Sequence, residues 1–203
     1  IYPRNCAQPI KEEYLLTGEL EKTNSAYAVA KIAGIELVKS YRKQYKCSWI
    51  SLMPTNLYGP KDNFNVETGH VIPALINKFE NAKRNNLKSV KLWGSGSALR
   101  EFMYVDDLAD AVLFCLDNYN EDLHINVGTG EEISIRNLAQ LVSDLVGFTG
   151  TVEWDTTQPD GTPRKVLDST KLTHIGWKPK ITLRDGLAKT IDWYLSNYES
   201  AKR

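Results

Sequence analysis

Residues 23–60 read TNSAYAVAKIAGIELVKSYRKQYKCSWISLMPTNLYGP and combine a helix pattern, a strand pattern and a loop. The stretch opens with Thr23 and Asn24, residue types that cap helices, and apolar residues then recur at helical spacing. Residues 48–53 form a short β-rich run of the kind found in buried parallel strands. Residues 54–60 follow as a loop at the carboxyl end of that strand, where open α/β sheets bind ligands.

Helix and strand patterns alternate along the rest of the chain, which predicts an α/β fold. Further strand patterns cover residues 89–94, 103–105, 124–128 and 151–154. Further helix patterns cover residues 70–85, the run DLADAVLFCLDNY capped by Asp106 or Asp107, a run capped by Ser134 that stops at Gly147, and a run with a Thr182–Asp185 capping box.

Composition excludes several classes of protein. The 203 residues carry 25 basic and 25 acidic side chains, which argues against nucleic acid or an anionic membrane as the main partner. Cys6, Cys47 and Cys115 show no zinc-binding spacing, so no metal site is expected and reduced thiols in the cytoplasm are favoured. No apolar run approaches the ~20 residues of a membrane span. The chain begins with Ile1 in IYPRN, without a Met or a helix start, and we therefore expect a fragment.

Tyr27 and Lys31 form a Tyr-x-x-x-Lys pair on one helix face. An ammonium group beside a phenol favours the phenolate, which is one way to build a proton-transfer tyrosine. At this composition roughly one such match arises by chance. Tyr198 and Lys202 have the same spacing, but they lie at a polar terminus and are interpreted as a solvated helix end. The strand and loop that follow the first pair strengthen a catalytic interpretation of Tyr27 relative to Tyr198, but on the residues alone a chance match stays the favoured interpretation.

Other motifs each allow two interpretations. GTGEEI at 128–133 lacks the third glycine of a dinucleotide fingerprint and predicts a tight strand-to-helix turn. GSG at 94–96 is interpreted as a flexible loop. His70, at the start of a helix, is either structural or a proton carrier. Trp93 either packs in the core or stacks on a planar base. Four loop cations are either solvated or, if clustered, a diphosphate site: Lys61, Arg100, Arg164 and Lys165.

The phrases YAVAKIAG, MPTNLYGP, GHVIPAL, LWGSGSALREFMYVDDLA, INVGTG and PDGTPRK, in this order, resemble the fucose-synthase branch of the extended short-chain dehydrogenase/reductase family. The resemblance covers essentially the whole chain. It implies NADPH-dependent 3,5-epimerisation and 4-reduction of GDP-4-keto-6-deoxy-D-mannose to GDP-L-fucose. It also implies that residues 1–64 are the C-terminal part of an NAD(P)-binding Rossmann-like domain. A smaller α/β substrate domain would occupy 65–203, with 103–128 returning to the Rossmann domain.

The resemblance also implies roles for individual residues. Tyr27 would be the active-site tyrosine, and Lys31 its partner on the nicotinamide ribose. His70 would act in epimerisation and lie near the cofactor. The loop that passes the nicotinamide would be Pro54, Thr55, Asn56 and Leu57. The GDP-sugar contacts would be Val71, Lys78, Trp93, Arg100, Asp160 and Lys165.

The resemblance further implies a cytoplasmic homodimer formed through the helix of the Tyr-x-x-x-Lys pair. The glycine-rich NADP loop, an active-site serine and an epimerase cysteine would precede Ile1, so the chain by itself is expected not to turn over. Two alternatives stay open: a nucleotide-sugar 4-epimerase or 4,6-dehydratase of the same family, and a non-catalytic nucleotide-sugar-binding module. The histidine of GHVIPAL favours the fucose-synthase branch over the first of these.

Overall fold

A computed structural model of the chain describes residues 1–201, without the side chains of Glu199 and Ser200. Helices and short strands alternate, as predicted. The α-helices are α1 (Ser25–Tyr45), α2 (Val71–Arg84), α3 (Val105–Asn118), α4 (Ile135–Val146), α5 (Thr170–His174), α6 (Leu183–Ser196) and α7 (Tyr198–Ala201). The strands are β1 (Leu52–Pro54), β2 (Asn56–Tyr58), β3 (Ser89–Trp93), β4 (Leu99–Arg100), β5 (Phe102–Tyr104), β6 (Ile125–Val127), β7 (Ile133–Ser134), β8 (Thr151–Asp155) and β9 (Arg164–Lys165).

Most strand pairs are parallel. β1 pairs with β6, β2 with β5, and β3 with β8, while β4 lies between antiparallel β7 and parallel β9. Parallel strands joined through helices are the mark of the α/β class, so the predicted fold class is confirmed. Only Thr55 separates β1 from β2, yet the two strands have different partners. The chain therefore passes from one parallel pair to the next within a single residue.

Two clusters of buried apolar side chains form the interior. The larger core lies among α2, α4, α6 and the strands beside them, and its fully buried members include Phe64, Ile76, Phe79, Leu138 and Leu187. The smaller core consists of Met103, Ala111, Cys115, Tyr119, Ile125, Val127, Leu172 and Trp177. β5 lies between the cores, because its alternate side chains point to opposite faces of the strand. Met103 accordingly faces the smaller core, and its two neighbours face the larger one.

Two predicted helix caps are confirmed. Ser134 Oγ accepts a hydrogen bond from the backbone N–H of Asn137 at 3.1 Å, and Gly147 ends α4 with φ of 76°. Thr182 Oγ1 accepts from the backbone N–H of Asp185 at 3.2 Å, where α6 begins. Local sequence signals therefore place these helix ends well.

Other predicted boundaries differ from the structure. α3 begins at Val105, so neither Asp106 nor Asp107 caps it. The buried Asp107 carboxylate accepts instead from the backbone N–H groups of Lys180 and Ile181, both at 3.1 Å. A distant loop therefore takes the acceptor that a local cap would have used.

At the start of α1, Asn24 occupies the cap position without a side-chain hydrogen bond, since a 3-10 turn over Lys22–Asn24 already leads into the helix. The strand predicted over 48–53 pairs only as Leu52–Pro54, because β6 offers three residues for pairing. No helix within residues 1–201 combines the length and apolar character that crossing a membrane requires. In the same residues, no three potential metal-ligating side chains come together.

Candidate functional site

A cavity of about 720 Å³ opens beside the carboxyl ends of β1 and β2. This is the position at which parallel α/β sheets bind ligands. Eight of the predicted site residues line it: Tyr27, Pro54, Thr55, Asn56, Leu57, His70, Val71 and Lys165. The fold thus brings together residues that lie up to 138 positions apart in the sequence, from 27 to 165 (165 − 27 = 138).

Tyr27 lies in the first turn of α1, and 56% of its surface is exposed. Lys31, one turn later, places Nζ 5.5 Å from the centre of the Tyr27 ring. That distance lies within the range of cation–π contacts. Tyr27 lines the cavity but Lys31 does not, so the ammonium group supports the tyrosine from beside the cavity. In the second pair with this spacing, Lys202 lies outside the described residues, and Tyr198 is packed rather than solvated. Its hydroxyl donates to Asn81 Oδ1 at 2.7 Å and its ring lies against Tyr194.

The loop between β1 and β2 is held by hydrogen bonds on two sides. The Thr55 backbone N–H donates to the carbonyl of Val127 at 3.0 Å. Thr55 Oγ1 and Asn56 Nδ2 both donate to the carbonyl of Glu101, at 3.2 Å and 2.8 Å. These bonds leave Asn56 Oδ1 without a hydrogen-bond donor among residues 1–201, and Asn56 is an exposed lining residue. The loop therefore offers the cavity a fixed acceptor.

The sequence predicts His70 to be the first helical residue, but His70 precedes α2, which begins one position later at Val71. The chain before it is anchored by Phe64, which is fully buried, stacks on Tyr194 with ring centres 4.5 Å apart, and accepts from Asn77 Nδ2 at 2.5 Å. A Cβ at Gly69 would overlap two backbone carbonyl oxygens, so the turn into His70 is tight. The exposed imidazole has no hydrogen-bond partner within the described chain. The His70 side chain is thus unengaged by the described chain, and the backbone that carries it is fixed.

A smaller recess of about 250 Å³ adjoins the first cavity and shares Asn56, Val71 and Phe102 with it. It is lined also by three further predicted residues: Trp93, Arg100 and Asp160. Trp93 is 74% exposed, so the interpretation as a core residue is wrong. The remaining predicted residue, Lys78, lines neither cavity, but its Nζ lies 5.8 Å from the centre of the Trp93 ring.

The glycine loop at 94–96 is fastened rather than flexible, contrary to the prediction. Asp160 Oδ1 accepts from the backbone N–H of Ser95 at 2.8 Å, and Oδ2 accepts from Ser95 Oγ at 2.6 Å. These hydrogen bonds lower the pKa of Asp160. Gly94 has φ of 74°, and a Cβ there would overlap the Asp160 carboxylate. The aspartate therefore joins two loops at the edge of the recess.

Positive charge collects around both cavities. Arg100 and Lys165 lie directly opposite each other on the neighbouring strands β4 and β9. Partial burial lowers the pKa of Lys78 and of Arg100, and partial burial together with the charge of Arg100 lowers the pKa of Lys165. Within residues 1–201, none of these three cations has a carboxylate within ion-pairing distance. Like charges in adjacent register repel unless an anion lies between them.

Of the other two candidate cations, only Arg164 has a carboxylate partner within residues 1–201. Arg164 forms a two-pronged ion pair with Glu132, at 2.7 Å and 3.1 Å. It is therefore neutralised within the chain, although it is the neighbour of Lys165. Lys61 lines the larger cavity from a left-handed backbone conformation with φ of 66°.

Sequence reasoning missed Glu101, which is fully buried next to Arg100. Its Oε1 accepts from the backbone N–H of Gly130 at 2.8 Å, and its Oε2 accepts from that of Leu167 at 2.9 Å. The glycine loop at 128–131 therefore binds a carboxylate of its own chain. It leads from β6 into β7 rather than directly into a helix, so the predicted tight strand-to-helix turn is wrong. The sequence signal that could have found Glu101 is one acidic residue directly before the apolar run FMYV.

Comparison with known proteins adds independent information. A family model described as the NAD dependent epimerase/dehydratase family matches residues 1–128. GDP-L-fucose synthase 1 of Arabidopsis thaliana is 57% identical over 97% of this chain, and GDP-L-fucose synthase of Sinorhizobium fredii is 54% identical over 97%. The chain spans 61% and 63% of the length of these curated relatives.

The fold is also similar to that of solved structures. A GDP-L-fucose synthetase from Naegleria fowleri, crystallised with NADP bound, superposes with a TM-score of 0.94 at 35% identity. The match covers 100% of this chain and 65% of that structure. The similarity therefore extends over both cavities.

Proposed function

The chain belongs to the NAD dependent epimerase/dehydratase family, and from that premise we propose that the protein converts GDP-4-keto-6-deoxy-D-mannose to GDP-L-fucose with NADPH. The reaction would combine epimerisation at C3 and C5 with reduction at C4. The relatives named GDP-L-fucose synthase support this assignment. The observation that carries it within the molecule is the facing pair Arg100 and Lys165, which has no carboxylate partner in the described chain.

The substrate half of the site is built for a nucleoside diphosphate sugar. A diphosphate between Arg100 and Lys165 would relieve their mutual repulsion and bind through charge-assisted hydrogen bonds. The exposed Trp93 offers an aromatic face to the base, next to the ammonium group of Lys78. Val71 and Asp160 line the same recess and complete the proposed GDP-sugar contacts.

The cofactor half fits the nicotinamide end of NADP(H). The donor set there is an ammonium group on Lys31, the phenol of Tyr27, and the fixed loop of Pro54, Thr55, Asn56 and Leu57, with His70 across the cavity. Lys31 and Asn56 would hold the nicotinamide ribose and carboxamide, since one donates and the other retains a free acceptor. When bound, NADPH supplies the hydride that reduces C4.

Tyr27 would protonate the oxygen on C4 as that carbon is reduced. Its exposure at the cavity gives the hydroxyl access to substrate, and Lys31 would stabilise the phenolate that remains. Binding of the GDP diphosphate by Arg100 and Lys165, away from the reacting carbon, would keep the C4 oxygen within reach of Tyr27. Proton transfer and anchoring are thereby assigned to different elements of the fold.

His70 would exchange the protons on C3 and C5. The neighbouring keto group acidifies both carbons, so that a base can remove each proton and form an enolate. Inversion requires a second group on the opposite face, and the resemblance assigns that role to a cysteine that is absent from residues 1–203. Cys6 is not proposed for it.

The two halves of the proposed site correspond to two parts of the chain. We assign 1–64 and 103–128 to the cofactor half and the remainder of 65–203 to the substrate half, because two separate apolar cores lie on either side of β5. Leu172 and Trp177 also pack in the smaller core, which ties the C-terminal segment to the cofactor half.

We further propose a cytoplasmic homodimer formed through α1. The helix exposes Val29, Leu37, Tyr41 and Tyr45, more apolar surface than a single covered stripe would leave. The three free cysteines suit a reducing compartment. Sedimentation of the full-length protein with Leu37→Asp tests the dimer, since a charge there should shift it toward monomer. An unchanged sedimentation coefficient would remove α1 from the interface.

The activity is tested by incubating the full-length protein with NADPH and GDP-4-keto-6-deoxy-D-mannose. We expect NADPH consumption and a GDP-L-fucose product that carries solvent deuterium at C3 and C5. Reduction without deuterium uptake would identify a plain 4-reductase. Tight GDP-sugar binding without turnover would identify a binding module.

A further inference from the structure

The two halves of the proposed site are carried by segments that are far apart in sequence. Thr55 lies between β1 and β2 and Asn56 begins β2, whereas Lys165 is carried by β9. Glu101 lies between β4 and β5, fully buried, and it contacts both halves. Its backbone binds one half and its side chain binds the other.

The backbone carbonyl of Glu101 binds the cofactor half. It accepts from Asn56 Nδ2 at 2.8 Å and from Thr55 Oγ1 at 3.2 Å. Every residue type has such a carbonyl, so these bonds depend on where residue 101 lies rather than on its side chain. A substitution at 101 would act on the loop by moving this oxygen.

The carboxylate of Glu101 binds the substrate half. Oε2 accepts from the backbone N–H of Leu167, two residues after Lys165, and Oε1 accepts from that of Gly130. Both oxygens are acceptors, which an ionised carboxylate provides and a glutamine amide does not, because the amide nitrogen only donates. A Cβ at Gly128 would overlap Oε1, so the glycine loop also approaches the carboxylate closely.

This carboxylate is costly for stability. Within residues 1–201, Glu101 has no cation at ion-pairing distance, although it is fully buried. Burial of a charge without a counter-ion is unfavourable, and the hydrogen bonds from Gly130, Leu167 and Thr129 are what offset that cost here. Residues that break the burial rule in this way are expected where function requires them.

We infer that Glu101 is a positioning residue that fixes the loop of Thr55 and Asn56 relative to Lys165. Its effect on catalysis rests on the proposed function, in which these segments hold the cofactor and the sugar diphosphate. A misplacement of about 1 Å between reacting groups can lower a rate about 100-fold. Glu101 touches neither reactant in that arrangement, so its loss should lower kcat more than it raises KM.

Hydrogen–deuterium exchange of the Glu101→Gln variant of the full-length protein tests the coupling without an activity assay. We expect exchange to accelerate about ten-fold or more in three segments together, 55–57, 128–131 and 165–168. Asp107→Asn is the matched control, because Asp107 is also a buried carboxylate that accepts from two backbone N–H groups, at 180 and 181. That control should accelerate exchange at 180–181 and leave the three segments unchanged. Acceleration of a single segment in Glu101→Gln would overturn the inference.

Kinetics of the same variants test the catalytic consequence. We expect Glu101→Gln to lower kcat about 10- to 100-fold with KM changed less than about three-fold, and Asp107→Asn to keep both within about two-fold. Should Glu101→Gln not fold, Glu101→Asp keeps two acceptor oxygens on a shorter stem and should loosen the same segments less. A normal kcat despite three loosened segments would overturn the positioning role. A wild-type protein without turnover would instead overturn the proposed function, while exchange would still decide the coupling.

Discussion

The larger and the smaller core differ in how completely they cover their helices. In the larger core, α2, α4 and α6 bury broad faces against one another. In the smaller core, α3 buries Ala111 and Cys115 but exposes Leu113 and Leu116. The larger core, on the proposed substrate side, therefore covers its helices, whereas the smaller core, on the proposed cofactor side, leaves apolar helix faces uncovered.

The residue proposed for proton transfer lies apart from the residues whose packing stabilises the fold. Tyr27, the proposed proton donor, lies on an exposed turn, and the anchoring cations lie on strands beside the larger core. Changes on the exposed side should therefore alter turnover and leave the folding free energy nearly unchanged. Substitution of the cations beside the larger core should weaken binding of the GDP-sugar.

The largest effect is expected for Tyr27→Phe. Its hydroxyl makes no hydrogen bond within residues 1–201, so the free energy of unfolding should be unchanged. Without the proton donor, the rate of NADPH oxidation by the full-length protein should fall about 100- to 10,000-fold. Deuterium uptake at C3 and C5, assigned to His70, should persist. Normal NADPH oxidation in this variant would end the proposed role of the tyrosine.

The next largest effect concerns the pH dependence of stability in the cofactor half. Tyr2 donates to Asn126 Oδ1, so its oxygen accepts from His124 Nε2 at 2.8 Å, and Nδ1 is buried without a partner in the described chain. Burial, with smaller contributions from Lys39 and Lys171, lowers the pKa of His124 from 6.5 to about 4.

The unfolded chain therefore binds a proton at this histidine more readily than the folded chain does. The contribution of His124 to the free energy of unfolding is fully present above pH 6.5 and is lost as the pH falls toward 4. The loss amounts to about 3 kcal/mol. Urea unfolding at several pH values should show a steeper decline for the wild type than for His124→Gln, which keeps a donor for Tyr2. Parallel declines would show that His124 does not carry the effect.

Features with a local sequence signal were predictable, and features that depend on distant partners were not. Ser134 and Gly147 mark the ends of α4 by side-chain and backbone preferences that act within one turn. Asp107 carries the same kind of signal, but a loop more than 70 residues away takes its carboxylate, with separations of 73 and 74 residues. Capping preference cannot show such a competitor.

The site shows the same limit. Trp93 ends a strand as a buried tryptophan would, and only the course of the neighbouring chain leaves it 74% exposed. Arg164 and Lys165 are indistinguishable as loop cations in the sequence. Glu132 and the strand register decide which of them stays unpaired. The residue types of the site were predictable, and their division into paired and unpaired charges was not.

That division can be tested with the two neighbouring cations. Lys165→Ala should weaken GDP-sugar binding about ten-fold, because one charge-assisted contact to phosphate is lost. Arg164→Ala is the matched control and should change affinity less than about two-fold, since Glu132 already occupies its guanidinium. Calorimetric titration with GDP measures both. Equal losses in the two variants would mean that position on β9, rather than the unpaired charge, governs binding.

The smallest effect is expected on the uncovered face of the cofactor side. Leu113 is 67% exposed, so Leu113→Ser should change the free energy of unfolding by no more than about 0.5 kcal/mol. Leu116→Ser, on the same face and 61% exposed, should behave alike. Denaturant titration of the full-length protein measures both changes. A loss above about 1 kcal/mol at either position would show that this face of α3 is packed in the folded protein. Both cores would then cover the apolar faces of their helices, and they would differ only in which residues make the contacts.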